Sequence, residues 1–181
     1  QSGTLSAHTR VDDIQIEPLC NPLRARGPLT LVTDGLQFSE GPLWRDDHLL
    51  FSDISADQIL RLDPPAQLSL FRMPSGQANG LALDGQSRLL AAEHGPRRIS
   101  ITLANGSVQT LTDHYQGMRY NSPNDLAVAG TGQIYFTDPD YGLADPGLRE
   151  LPFNGVFRRD PDGSVQLEWP GVIGTNQPNG I

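Results

Sequence analysis

Residues 79–93 decide the fold, and they read Asn79-Gly80-Leu81-Ala82-Leu83-Asp84-Gly85-Gln86-Ser87-Arg88-Leu89-Leu90-Ala91-Ala92-Glu93. Two short apolar runs flank a polar turn at 84–87, and a third run follows at Ile99-Ser100-Ile101-Thr102. Short apolar segments bounded by Gly, Asp and Ser predict antiparallel β-strands joined by tight turns.

The same layout occurs three times along the chain. The acidic residues that close the second strand of each copy lie 12, 13 and 13 positions after Gly41, Gly80 and Asp125, at Asp53, Glu93 and Asp138. The copies start near residues 40, 79 and 124, and a fourth begins near 179. This spacing is close to the period of about 40 to 50 residues that four-stranded propeller blades show.

The chain is therefore predicted to be all-β, a β-propeller of four-stranded blades with about three blades present; a β-sandwich is the alternative, but it has no reason to repeat at this period. We expect a leader at residues 1–28 and a partial propeller at residues 29–181 that ends inside a repeat, with more polypeptide to follow.

Asn105-Gly106 and Asp162-Gly163 predict type I′ hairpin turns before each outer strand. Trp44 is expected to pack between blades.

Composition excludes several functions. The 181 residues include 13 basic residues, all Arg, and 21 acidic ones, a net charge of −8. With no basic run and no apolar run of about 18 residues, neither a nucleic acid nor a membrane is an expected partner. The single cysteine, Cys20, excludes an internal disulfide framework and is expected to be a bystander. We expect a cytoplasmic protein; because the chain begins at Gln1, a periplasmic or secreted location stays open.

Polar residues stand just before the first strand of each copy. In a propeller these innermost strands line a central channel, so Glu40, Asn79, Asn124 and Asn179 should meet at one mouth. One carboxylate and several amide oxygens suit a hard cation such as Ca²⁺. Alternatively, each Asn only bonds its own turn backbone, as Asn often does.

Five motifs, in order, closely resemble the SMP-30/gluconolactonase/luciferin-regenerating family over Leu31 to Ile181. They are Phe38-Ser39-Glu40-Gly41-Pro42-Leu43-Trp44, Glu93-His94-Gly95-Pro96-Arg97-Arg98-Ile99, Asn121-Ser122-Pro123-Asn124-Asp125-Leu126, Phe136-Thr137-Asp138-Pro139-Asp140-Tyr141-Gly142 and Pro178-Asn179-Gly180-Ile181. The resemblance implies a six-bladed propeller with one divalent cation in the channel mouth. Ca²⁺ is the expected ion, with Mn²⁺, Mg²⁺ or Zn²⁺ open.

The resemblance also implies roles for individual residues. It makes Glu40 and Asn179 metal ligands and places Asn124 at both the metal and the substrate. Asn121, Arg119 and His94 complete the expected substrate-binding set. The family's Asp that serves as general base follows the position of Asn179 and has no counterpart here. Residues 141–152 form an insertion expected to cover the mouth.

The predicted function is that of a metal-dependent hydrolase that opens a small-molecule lactone, gluconolactonase-like, by attack of metal-activated water on the ester carbonyl. A related propeller esterase or organophosphate hydrolase is one alternative. A propeller that binds small molecules or peptides without catalysis is another, and it predicts no cation at Glu40. The oligomeric state stays open.

Overall fold

Each predicted repeat forms one antiparallel sheet whose four strands follow chain order. The computed structural model describes residues 31–181, so the expected leader at 1–28 and Cys20 lie outside the described residues. The first sheet contains β1 (Ser39–Arg45), β2 (His48–Asp53), β3 (Gln58–Asp63) and β4 (Gln67–Arg72). The second contains β5 (Ala78–Leu83), β6 (Leu89–Glu93), β7 (Arg98–Thr102) and β8 (Val108–Thr112).

A two-stranded hairpin lies between the second sheet and the third in the sequence. It pairs β9 (His114–Tyr115) with β10 (Met118–Arg119). The third sheet contains β11 (Leu126–Val128), β12 (Ile134–Asp138), β13 (Asn154–Arg159) and β14 (Val165–Gly171). Among residues 31–181 the helical structure is a 3₁₀ turn at Pro146–Leu148, and no helix there is long and apolar enough to cross a membrane.

The core lies between successive sheets. Strand β6 is buried at all five positions, and its alternate side chains serve two clusters. Leu89 and Ala91 pack toward the first sheet, whereas Leu90 and Ala92 pack toward the third. Because neighbouring side chains of a strand point to opposite faces, one apolar strand fills two interfaces between blades. The cluster toward the third sheet includes a stacked aromatic pair, Phe136 and Phe157, with ring centroids 5.4 Å apart.

The type I′ prediction for the hairpin turns is wrong. A type I′ turn needs positive φ at both central residues, but φ is positive at Gly106 and Gly163 and not at the Asn or Asp before them. The Gly106 amide donates to the Leu103 carbonyl, and the Leu103 amide donates to the Ser107 carbonyl. This is the three-residue hairpin loop, a type I turn followed by a left-handed glycine.

Three strands and one side chain differ from expectation. The sequence patterns did not reveal β4 or the β9–β10 hairpin; β4 is exposed at five of its six positions and so shows no alternation between buried and exposed residues. Trp44 was predicted between blades, but it is 59% exposed and donates from Nε1 to the Asp46 carbonyl. It lies on the face of β1 opposite Leu43, which packs against the core.

The acidic residues at the ends of the second strands form hydrogen bonds or ion pairs with other segments of the chain. Asp53 accepts hydrogen bonds from the Gln37 and Phe38 amides, and Asp138 accepts one from the Asn121 amide. Both carboxylates therefore hold the segment that leads into the innermost strand of their own blade. Glu93 differs, because it accepts from Ser100 and pairs with two guanidinium groups, those of Arg72 and Arg98.

Candidate functional site

The residues predicted to meet at the channel mouth do meet. Glu40, Asn79, Asn124 and Asn179, together with Asp125, line one cavity of about 140 Å³. They come from the starts of β1 and β5, from the residues before β11, and from the segment after β14. Asn79 and Asn124 are almost fully buried, at 5% and 1% exposure, whereas Asn179 is exposed.

Two glycines allow the inner strands to approach this closely. A Cβ added at Gly41 would lie 2.9 Å from the Asn79 carbonyl carbon, and one added at Gly80 would lie 2.7 Å from the Asp125 Cα. Gly41 also has φ of +55°, in the left-handed region that favours glycine. Each glycine sits where strand pairing shifts register, and such bulges redirect side chains next to sites.

Hydrogen bonds to backbone carbonyls fix the asparagines in place. The Ser52 hydroxyl donates to the Asn79 carbonyl and the Thr137 hydroxyl donates to the Asn179 carbonyl, both at 2.7 Å. Ser52 and Thr137 occupy equivalent positions, one residue before the acid that ends each second strand. The side chain of Asn179 has a partner outside its own turn, since its Nδ2 donates to the Tyr141 hydroxyl at 3.1 Å.

The donor set of the cavity fits a hard cation. Glu40 contributes a carboxylate, and Asn79, Asn124 and Asn179 contribute amide oxygens. Such oxygens are the ligands of Ca²⁺ and Mg²⁺, whereas zinc favours His and Cys, which do not line this cavity. Asp125 is engaged on both oxygens, since it accepts from the amides of Leu126 and Ile181.

A second, wider cavity of about 240 Å³ opens beside the first and shares four of its residues, Glu40, Asn79, Asn124 and Asn179. Its further lining includes Phe38, Ile54, His94, Tyr141 and Gly142. The start of the 141–152 insertion thus lies against the pocket, as expected. The two cavities together offer an oxygen-rich floor below a space walled by apolar and aromatic groups.

Burial sets the charge of two side chains in this wall. It lowers the pKa of His94 from 6.5 to about 4, so the imidazole is neutral at pH 7. Burial also raises the pKa of Tyr141 to about 12, and the negative charges of Glu40 and Asp125 add to that effect. The wall therefore presents a neutral ring nitrogen and a phenolic hydroxyl, both suited to hydrogen bonding a neutral, hydroxyl-rich ligand.

Two residues of the predicted substrate-binding set lie elsewhere. Asn121 is fully buried; its side-chain amide donates to the Phe153 carbonyl at 2.9 Å. Arg119 donates from Nη2 to the Pro96 carbonyl at 2.7 Å. Neither residue lines either cavity at the mouth. Both side chains bond backbone carbonyls away from the two cavities, and their role in substrate binding stays a prediction.

A separate acidic group was not anticipated from the sequence. Asp47, His48 and Asp63 place ligand atoms within 4.8 Å of one another. They lie at the end of the first blade away from Glu40, since Glu40 is the second residue of β1, whereas Asp47 lies in the turn between β1 and β2. The Arg61 guanidinium pairs with Asp63 at 2.6 Å and already supplies positive charge there.

The blades and the pocket define the class: a β-propeller protein with an oxygen-lined cavity where its innermost strands converge. Residues 38–181 match the family model described as the SMP-30/Gluconolactonase/LRE-like region. A gluconolactonase of Zymomonas mobilis subsp. mobilis is 35% identical over 173 residues, covering 85% of this chain and 48% of the relative. The chain belongs to the SMP-30/gluconolactonase/LRE-like family.

Solved structures agree with this assignment. A gluconolactonase from Xanthomonas campestris is 37% identical with a TM-score of 0.70, covering 75% of this chain and 48% of that chain. A structure described as a candidate gluconolactonase is 32% identical with a TM-score of 0.74, covering 82% of this chain and 53% of that chain. The chain thus spans about half the length of these relatives.

Proposed function

We propose that the protein is a metal-dependent lactonase that hydrolyses a sugar lactone such as gluconolactone. The observation that carries the proposal is the convergence of Glu40, Asn124 and Asn179 on one small cavity at the channel mouth. The identity to gluconolactonases is the independent support, because it covers the blades that form this cavity.

Glu40, Asn124 and Asn179 would hold the divalent cation, for which Ca²⁺ is the leading candidate because every donor is an oxygen. When bound, such an ion supplies Lewis-acid polarisation of a carbonyl and lowers the pKa of bound water. Glu40, the carboxylate of this set, offsets part of the ion's charge. Asn79, buried at the same cavity with its main-chain carbonyl fixed by Ser52, extends the polar floor on the side of the second blade.

The wider cavity would receive the lactone ring. Phe38 and Ile54 provide apolar contact for the ring face, and His94 provides a neutral hydrogen-bonding group for its hydroxyls. The wall is uncharged and the floor already carries the carboxylates of Glu40 and Asp125, so the site favours a neutral cyclic ester over an anionic substrate, since burying a further negative charge here would be costly. We assign no residue within 31–181 to the general-base step.

The first test is a calorimetric titration of the chain with Ca²⁺ and Mn²⁺, beside Glu40→Gln and the control Asp63→Asn. We expect saturable binding in the wild type, its loss in Glu40→Gln and its retention in Asp63→Asn, because Asp63 belongs to the distant acidic group. A pH-stat assay on glucono-δ-lactone should then show cation-dependent acid release in the protein that binds the ion.

Three outcomes would contradict this proposal. Loss of binding in Asp63→Asn alone would place the cation at the distant group. A well-folded wild type that binds no cation would favour the binding-propeller alternative. Cation-dependent turnover of aryl esters or phosphotriesters without acid release from lactones would favour the esterase alternative.

A further inference from the structure

Tyr141 makes a direct hydrogen bond to one of the proposed cation ligands. The Asn179 side-chain nitrogen, Nδ2, donates to the Tyr141 hydroxyl at 3.1 Å. An Asn amide has one oxygen and one NH₂ group, and a half-turn of the amide exchanges their places. A partner that accepts a hydrogen bond from the NH₂ group therefore fixes the direction in which the amide oxygen points.

The chain around Tyr141 is held firmly, although it begins a 12-residue insertion, 141–152. The Ser122 hydroxyl donates to the Pro139 carbonyl at 2.5 Å and accepts from the Gly142 amide at 3.0 Å. A Cβ added at Gly142 would lie 2.6 Å from the His94 Nδ1 and 2.8 Å from the Ser122 Oγ. The insertion is thus pinned against the site on both sides of Tyr141.

We propose that Tyr141 is a positioning residue: it accepts the NH₂ group of Asn179 and so directs the Asn179 Oδ1 into the cavity that Glu40 lines. This inference rests on the proposed cation site. Without the hydroxyl, the NH₂ group loses its partner and the amide is free to turn. A turned amide would present N–H groups to a cation, which repels them, so part of the binding free energy would be spent on restoring the productive orientation.

The hydroxyl is suited to this role. Its oxygen accepts the Asn179 Nδ2 at 3.1 Å, and a phenol can accept and donate a hydrogen bond at the same time. A phenol also adds no carboxylate to the two already present in the lining, those of Glu40 and Asp125. His94 packs edge-on against the Tyr141 ring, with centroids 6.4 Å apart and planes at 77°, and this contact restricts rotation of the ring.

A double-mutant cycle tests the proposal by cation affinity rather than by turnover. Tyr141→Phe should weaken Ca²⁺ binding by roughly three- to tenfold, the equivalent of one neutral hydrogen bond. In an Asn179→Ala background the same change should alter the affinity by less than about twofold, because no side-chain amide is left to be oriented. Tyr115→Phe is the matched control, since its hydroxyl accepts a hydrogen bond from exposed Gln116 in the β9–β10 hairpin, away from the cation ligands.

A metal-free readout separates failure of this inference from failure of the cation site. In the NMR spectrum of the apo-protein, Tyr141→Phe should shift the side-chain NH₂ resonances of Asn179, and Tyr115→Phe should not. Unchanged resonances would overturn the hydrogen bond whatever the cation does. Equal losses of affinity in both backgrounds would mean that Tyr141 acts through packing. A wild type that binds no cation would overturn the site and this inference together.

Discussion

Replacing Asp138 by Asn should change how stability depends on pH. The side chain is completely buried, and Oδ2 accepts a hydrogen bond from the Asn121 amide at 2.8 Å. Burial raises the pKa of Asp138 from 3.8 to about 8, and the hydrogen bond from the Asn121 amide opposes that rise only in part. Between these two pH values the folded protein keeps this proton, whereas the unfolded chain loses it.

The sign and the size of the effect follow from this difference. A group whose pKa is raised by folding stabilises the fold fully below its unfolded pKa, and that contribution is lost as pH rises toward the folded pKa. The slope is about 1.4 kcal/mol per pH unit, so the contribution of Asp138 to the free energy of unfolding should fall by roughly 2 to 3 kcal/mol between pH 5 and pH 7. Asn does not ionise and keeps an oxygen to accept the Asn121 amide. The variant should therefore match the wild type near pH 4 and exceed it at pH 7.5.

Urea unfolding followed by circular dichroism between pH 4.5 and 8 measures this directly. The informative quantity is the difference between variant and wild type, because titration of His94 and of the other carboxylates cancels in it. Asp63→Asn is the control: its carboxylate has a pKa lowered by the Arg61 hydrogen bond, so loss of its charge should bring no gain at pH 7.5. If the difference for Asp138→Asn stays constant across this range, the burial argument is refuted.

Two further variants test the packing that builds the site. Glu93→Gln should lower the free energy of unfolding by about 3 to 5 kcal/mol, measured by urea titration. The substitution removes the negative charge that compensates the guanidinium groups of Arg72 and Arg98, of which Arg72 is largely buried. A cost below about 1 kcal/mol would argue against a coupled network. Gly80→Ala should cost more than about 2 kcal/mol and weaken cation binding, since the new methyl would lie 2.7 Å from the Asp125 Cα. Gly85→Ala is its control, with open space around it, and equal effects of the two would contradict the close-approach explanation.

The sequence predicted strands correctly where apolar runs recur at the spacing of the blades. The strands closest to the channel were predicted because apolar runs recur at blade spacing, and the convergence of Glu40, Asn79, Asn124 and Asn179 followed from that repeat alone. Strand β4 was not predicted, although Gln67-Leu68-Ser69-Leu70 alternates polar and apolar residues; no Asn-Gly or Asp-Gly turn precedes it, as one does before β8 and β14. The hairpin turns were misassigned because Asn-Gly and Asp-Gly suit more than one turn, and the choice depends on the twist of strands that the dipeptide does not encode.

The residues that support the proposed cation ligands are harder to predict from the sequence. Tyr141 and Gly142 belong to an insertion that interrupts the repeat, so no internal copy indicates where they pack. The three acids at equivalent positions illustrate the same limit, because their partners come from different segments: Asp53 and Asp138 hold amides ahead of their own inner strands, and Glu93 binds arginines from two sheets. Matching positions in a repeat predict a shared location in the blade. The chemistry at that location depends on neighbours that the repeat does not preserve, and for this reason the Asp138 titration and the Tyr141 cycle both have to be measured.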